Sequence, residues 1–427
     1  MHKIKQGHEN FSQDASNFIW NSIGGVLNAG QSVLILMVIT RVCGLEAAGI
    51  FSIAYATGNL FLYLGNYGVR NYQVSDLNET YSFSDYVFHR MATVFLMLAI
   101  SVFWSAASFL SGSYSAYKSG CVLAMCLLKS IDCLEEVFEG RYQQKGRLDR
   151  SGKLVTFRLV VSIGGMCVAL IVTKNLLVST WISVALAAAA SLCCIAWYKD
   201  TAEWTRTPFQ AAKVTGLMRE CFPVCASNFL SFLLINEPKY AIDAVMDETA
   251  QACYNFIAMP VFVIQLLNMF MYQPLLIRMT QSYEKRNRQQ FLHYFGLVFA
   301  GLFAITLLVL AVGWIAGIPV LSLLYATDLS SYKIEFMILL VGGIFLACNG
   351  FFCAVLTLMR SQKKIPVIYF AGSIFSLVLT PRMVRFSGIN GACVSFVLVM
   401  MLVTAFLTLL FVSCMKRDFY VKEKQGK

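Results

Sequence analysis

Charge is what this chain has least of. Only 13% of its 427 residues are Asp, Glu, Lys or Arg, with four histidines and eight prolines. A soluble domain of this length needs more polar surface than that, so a soluble globular fold is excluded. The sequence also contains no HExxH, no GxSxG and no GxxxxGK[ST]. Zincin, serine hydrolase and P-loop NTPase chemistry are therefore absent as motifs, and no ATPase domain is present in cis. The histidines (His2, His8, His89 and His293) are scattered and form no cluster. Fourteen cysteines are present, but none forms a CxxC pair and most sit in apolar runs such as "SLCCIAWY" and "VLAMCLLKSIDC". There they read as small packing residues, without a metal or redox spacing.

What the chain has instead is apolar length, at 58% hydrophobic residues. Runs of about 20 apolar residues cross a hydrocarbon core of about 30 Å as helices. Twelve are predicted, at 18–40, 47–68, 90–111, 115–139, 154–173, 176–198, 221–243, 249–273, 294–317, 335–359, 365–385 and 390–414. The polar start "MHKIKQGHENFSQDASN" offers no cleaved signal segment. With the N-terminus inside, inner segments carry 25 of the 34 Lys and Arg, outer segments seven, and Lys129 and Arg158 fall within spans. That bias predicts cytoplasmic N- and C-termini. It also assigns the net charge of +11 to the inner lipid face rather than to nucleic acid.

The expected organisation is an all-α polytopic membrane protein in two six-helix bundles. These are residues 1–198 and 221–427, the latter with a short basic tail, joined by a cytoplasmic amphipathic linker at 199–220 in which Trp204, Phe209, Leu217 and Met218 alternate with charge. A weak internal repeat supports this. At an offset of 204, seven identical pairs occur over 48 positions, among them Ile53/Ile257, His89/His293 and Phe95/Phe299. "RYQQK" (Arg141 to Lys145) and "RSQKK" (Arg360 to Lys364) follow equivalent helices. Parallel repeats of this kind are a transporter architecture.

Charged groups inside spans need a partner, water or a task. In the fourth span, Lys129, Asp132, Glu136 and Glu139 are spaced three, four and three apart, which places them on one helical face. That face reads either as the lining of a watery cavity or as a salt-bridged stripe. Arg158 lies a turn or two inside the fifth span, where it either lines a cavity or snorkels to headgroups. Arg41 ends the first span and Arg70 lies near the inner end of the second, beside Asn66. In "LLINEPKYAIDAVMD", Pro238 is predicted to kink or unwind the seventh helix and present Asn236, Glu237, Lys239 and Asp243 to a cavity. An outer turn is the alternative.

Five stretches together resemble the Wzx-type polysaccharide flippases of the multidrug/oligosaccharidyl-lipid/polysaccharide exporter superfamily. They are "NFIWNSIGGVLNAGQSVLILMVITRVCGLEAAGIFSIAYA", "GNYGVRNYQVSD", "EGRYQQKGRLDRSGK", "NEPKYAIDAVMDETAQACYNFIAMP" and "IPVLSLLYATDLSSYK". The resemblance implies twelve helices in two bundles around a central cavity, and alternating-access movement of undecaprenyl-pyrophosphate-linked oligosaccharide to the outer leaflet of a bacterial cytoplasmic membrane. The expected partners are that lipid, the bilayer, a polysaccharide polymerase and a chain-length regulator. No cofactor is expected beyond H⁺ or Na⁺ coupling. On that reading Lys129, Arg158, Lys239, Arg41 and Arg70 contact substrate as cations that grip pyrophosphate by charge-assisted hydrogen bonds, and Asn236 contacts it at sugar hydroxyls. Asp132, Glu237 and Asp243 are the coupling candidates. A small-molecule exporter on the same fold stays open, as do a polymerase or ligase and an assembly scaffold.

Overall fold

The computed structural model describes residues 2–76, 78–202 and 207–421. Among them there is no β-strand. The chain divides into two compact units, Met1–Phe229 and Leu230–Lys427. Unit 1 holds α1 (His2–Val42), α2 (Gly44–Asn66), α3 (Val69–Ser75), α4 (Phe83–Leu110), α5 (Ala116–Gln144), α6 (Leu148–Thr173), α7 (Leu176–Trp197) and the single turn α8 (Lys199–Ala202). Helix α9 (Ala211–Val245) carries the chain from unit 1 into unit 2. Unit 2 continues with α10 (Glu248–Glu284), α11 (Arg288–Val312), α12 (Ile318–Tyr325), α13 (Lys333–Leu358) and α14 (Ile365–Met415).

Ten stretches among the described residues are long and apolar enough to cross a membrane. Two more follow from particular residues. Helix α5 is 29 residues long, ample for a span of about 20, but its charges lower its hydropathy. Helix α14 is two limbs, because Gly388 takes φ 57° and ψ −134°, a backbone setting that suits glycine and no other residue. Twelve helices of membrane length therefore stand at the twelve expected places, in a multi-pass, all-α membrane protein.

Helices in lipid gain little from burying apolar surface against one another, so they pack where small residues let backbones meet. In unit 1, α1 packs on α6 and α2 on α5. A methyl group on Gly152 would strike the backbone of Trp20 on α1, and one on Gly58 would lie 3.0 Å from Met125 Cγ and 3.3 Å from Lys129 Cγ on α5. These two close crossings hold the walls of the cavity described below. A buried cluster of Val69, Phe83, Tyr86, Val137, Tyr142, Leu154, Leu217 and Cys221 closes another part of the unit. In unit 2, α13 packs on α14 and α10 on α13. There Phe295 stacks on Phe411 with ring centres 4.6 Å apart.

Two expectations need correction. Helix α9 stays α-helical through Pro238 to Val245, so the seventh span neither unwinds at "EPKY" nor forms an outer turn there. Proline removes one backbone donor and crowds one carbonyl, and in a membrane-spanning helix such a local loss is tolerated. The segment 199–220, expected as an amphipathic linker between bundles, does not end before the seventh span begins. Residues 211–220 are the first turns of α9, and Leu217 is fully buried in unit 1, whereas Phe209 is exposed. Trp204 lies outside the described residues.

Candidate functional site

Unit 1 contains a cavity of ≈ 420 Å³ walled by α1, α2, α5 and α6, with Arg70 reaching it from α3. Its charged lining is the stripe expected on the fourth span: Lys129, Asp132, Glu136 and Glu139 all reach it, with Arg70 and Arg158 opposite. Every one of these charges is paired. Lys129 Nζ lies 3.1 Å from Asp132 Oδ2, and Arg158 Nη1 lies 2.6 Å from Asp132 Oδ1. Arg158 Nε also meets Glu135, which accepts a further bond from Ser191 Oγ at 2.8 Å. Arg70 Nη1 donates to Glu139 at 2.8 Å. Arg90, buried behind the wall, donates to Glu136 at 2.7 Å and to the Gly65 carbonyl at 2.6 Å.

The formal sum over the cavity lining is zero, three basic residues (Arg70, Lys129, Arg158) against three acidic ones (Asp132, Glu136, Glu139). Single charges cost about 2.5–3.5 kcal/mol each at the centre of a span on insertion scales, and mutual pairing is what makes several of them tolerable together. Arg158 does not snorkel. It is buried and bridges two carboxylates on α5. The rest of the lining is neutral and polar: Asn21, Asn28 and Gln31 from α1, Tyr55, Asn59, Tyr63 and Asn66 from α2, and Ser151 from α6.

Arg41 is not part of this cavity. It is exposed and donates to the Met37 carbonyl at 3.0 Å, within its own helix. The remaining candidates belong to unit 2 and behave differently. Asn236 Nδ2 donates to the Phe232 carbonyl at 3.0 Å. Glu237, only 3% exposed, accepts from Ser376 Oγ at 3.3 Å and has no cationic partner among the described residues. Lys239, 8% exposed, has no carboxylate partner among them either. Its Nζ lies 5.8 Å from the centre of the Phe262 ring, in a shell completed by Ile235, Tyr254, Val261, Leu339 and Phe396. The gap there measures ≈ 10 Å³, about the room one water needs. Glu237 and Lys239 are two residues apart, which on a helix turns them to different faces. Asp243 is half-buried near the end of α9. A larger cavity in unit 2, ≈ 450 Å³, gathers Glu284, Arg286, Arg360 and Asp418 at helix ends, with no carboxamide in its lining.

Sequence reasoning missed three parts of the unit 1 site. Glu135 lies next to Glu136 but about 100° around the helix, off the stripe that was traced. Arg90 opens an apolar run, and only the fold shows it to be buried. The carboxamides did carry a signal: Asn21 and Asn28 are seven residues apart, as are Asn59 and Asn66. Seven residues is two helical turns, so each pair shares a face.

Residues 15–280 match the family described as polysaccharide biosynthesis protein. No curated protein sequence matches the chain. Among solved structures, the chain is similar to lipid II flippase MurJ in an inward closed conformation, with TM-score 0.71 and 10% identity over 94% of this chain and 90% of that one. It is also similar to an inward-facing MATE family multidrug resistance transporter of the MOP superfamily, with TM-score 0.69 and 12% identity over 90% and 96%. A MOP superfamily transporter from Pyrococcus furiosus aligns with TM-score 0.58 and 13% identity over 94% and 95%. Identities this low speak for a shared fold. The family match covers more than half of the chain, and with the twelve-helix architecture it leads to one conclusion: this chain belongs to the polysaccharide biosynthesis protein family and has the fold of the MOP superfamily transporters.

Proposed function

We propose that the protein is a flippase that moves undecaprenyl-pyrophosphate-linked oligosaccharide from the inner to the outer leaflet of the bacterial cytoplasmic membrane, for surface polysaccharide synthesis. The observation that carries this reading is the polar cavity of ≈ 420 Å³ inside a bundle of membrane-length helices. Polar groups are costly at membrane depth, and a cavity lined by them suits a hydrophilic cargo that hydrocarbon rejects. The family match points to polysaccharide as the pathway. Alternating access requires a driving force, and in this reading an ion gradient or consumption of the product outside supplies it.

Individual roles follow from pairing. Arg70, Lys129 and Arg158 hold carboxylates, so in this reading they shape the cavity, and an anion takes them only by displacing Asp132 or Glu139. Lys239 has no such competitor and is the cation we assign to the pyrophosphate, in a conformation that opens the shell around it. Asp132 already serves two cations. Glu237 has only hydroxyl partners, so an arriving H⁺ or Na⁺ displaces no ion pair there, and the coupling role goes to Glu237. A polymerase and a chain-length regulator are the proposed partners, with both termini cytoplasmic.

The test is leaflet location. Depletion should strand lipid-linked repeat units on the inner face, out of reach of an added, membrane-impermeant glycan-modifying enzyme. Repeat units that still reach the outer face would reject the flippase reading. Drug efflux from vesicles would then favour the small-molecule exporter.

A further inference from the structure

We infer that the unit 1 cavity is a subsite for the uncharged sugar residues of the cargo, reading hydroxyl groups through carboxamides, and is not the subsite for its pyrophosphate. The inference rests on the flippase reading and gives that same cavity a substrate class.

Two observations carry it. The first is charge closure. The lining is formally neutral and each of its cations has a carboxylate within 3.1 Å, so the cavity offers a phosphate no free positive charge. An anion would have to break a buried pair, which is strongly unfavourable. The second is the hydrogen-bonding capacity left after all internal bonds are made. Gln31 is 6% exposed, and its Nε2 is spent on the Asn28 carbonyl at 3.1 Å and Asn28 Oδ1 at 2.8 Å. Both residues line the cavity, and among the described residues Gln31 Oε1 is left as an unused acceptor and Asn28 Nδ2 as an unused donor. Asn59 Nδ2 donates to the Tyr55 carbonyl at 2.8 Å, which leaves Asn59 Oδ1. Asn66 Oδ1 accepts from Arg90 Nη1 at 3.2 Å, which leaves Asn66 Nδ2. Asn21, also in the lining, spends neither of its groups on a hydrogen bond among the described residues.

The cavity thus presents both donors and acceptors, all neutral, on two facing helices. Sugars need that combination, because each hydroxyl both donates and accepts, whereas a phosphate uses donors alone. Tyr55 also lines the cavity, its ring stacked on Phe51 with centres 5.6 Å apart and with Lys129 Nζ 4.9 Å from its centroid. A volume of ≈ 420 Å³ falls within the roughly 300–1,000 Å³ usual for small-ligand pockets.

The experiment compares two probes in proteoliposomes: undecaprenyl pyrophosphate carrying the host's full repeat unit, and the same lipid carrying its first sugar only. Gln31→Leu and Asn59→Leu should collapse the preference for the full unit by about tenfold or more, the loss expected for one or two hydrogen bonds at a site that orders its ligand. Asn21 and Asn28 are exposed on α1, and Asn21 makes no side-chain hydrogen bond among the described residues, so Asn21→Leu and Asn28→Leu keep the test decisive if the other variants fold poorly. The inference is overturned if wild type moves both lipids equally well, if the variants keep the wild-type preference, or if both lipids slow in proportion. If wild type moves neither lipid, the flippase reading fails first, and the two failures are told apart.

Discussion

The two units treat buried charge in opposite ways. In unit 1, Lys129, Arg158, Arg70 and Arg90 are each matched to a carboxylate on α5, and the result is a neutral polar cavity held in one geometry. In unit 2, Glu237 and Lys239 are buried two residues apart with no ionic partner between them or elsewhere among the described residues. Paired charges stabilise each other and specify shape. Unpaired ones cost stability in every conformation that excludes water, and that cost can be recovered only in a state that supplies a counter-charge. Unit 1 therefore reads as a built container, and unit 2 as carrying groups that await a ligand.

Substitutions can break this contrast. The largest effect is expected in unit 1. Arg158→Leu strands Glu135, leaves Asp132 to Lys129 alone, and should cost about 3–5 kcal/mol, seen as loss of membrane abundance and a lower unfolding midpoint in detergent. In unit 2 the sign reverses. Lys239→Met removes a charge from an apolar shell and should stabilise by about 1–3 kcal/mol while abolishing leaflet transfer, a trade of stability against function. If Lys239→Met destabilised instead, the lysine would have a structural partner and the contrast would fail. Gly388→Ala forces an L side chain into a glycine conformation between the limbs of α14, and should cost about 1–3 kcal/mol by the same unfolding assay.

Outside the spans the cost of losing a paired carboxylate can be read by pH. Burial pushes the Asp76 carboxyl up, but hydrogen bonds from the Tyr81 and Thr80 amides and the Tyr86 hydroxyl bring it below the ordinary 3.8. A carboxylate depressed in the folded state contributes stability above pH 3.8 and loses it as pH falls through its lower folded value. Asp76→Asn should therefore cost about 1 kcal/mol near neutral pH, with the gap to wild type closing in acid. The smallest change in stability is expected at Glu237→Gln. It keeps shape and a hydroxyl partner, so folding should shift by less than about 1 kcal/mol while ion dependence of transfer disappears.

How much of this was legible depended on whether a feature is local. Helix positions followed from apolar length, and the stripe of Lys129, Asp132, Glu136 and Glu139 followed from spacing, since both are properties of one segment. The partners of Arg158 were not legible, because which of several α5 carboxylates it meets depends on how α6 crosses α5. Pro238 misled because the rule for proline in a helix assumes that the lost bond is decisive, and in α9 the helix persists. The carboxamides were passed over because a neutral side chain in a span is a weaker outlier than a charge. Their spacing of seven residues on both α1 and α2 was nevertheless in plain view.

The contrast between the units is tested most directly by reconstituting Lys239→Met beside wild type and following transbilayer movement of undecaprenyl-pyrophosphate-linked oligosaccharide in the same vesicles. The account predicts a variant at least as stable as wild type that does not move the lipid. Transfer at the wild-type rate would contradict it, and would return Lys239 to the status of an incidental buried charge.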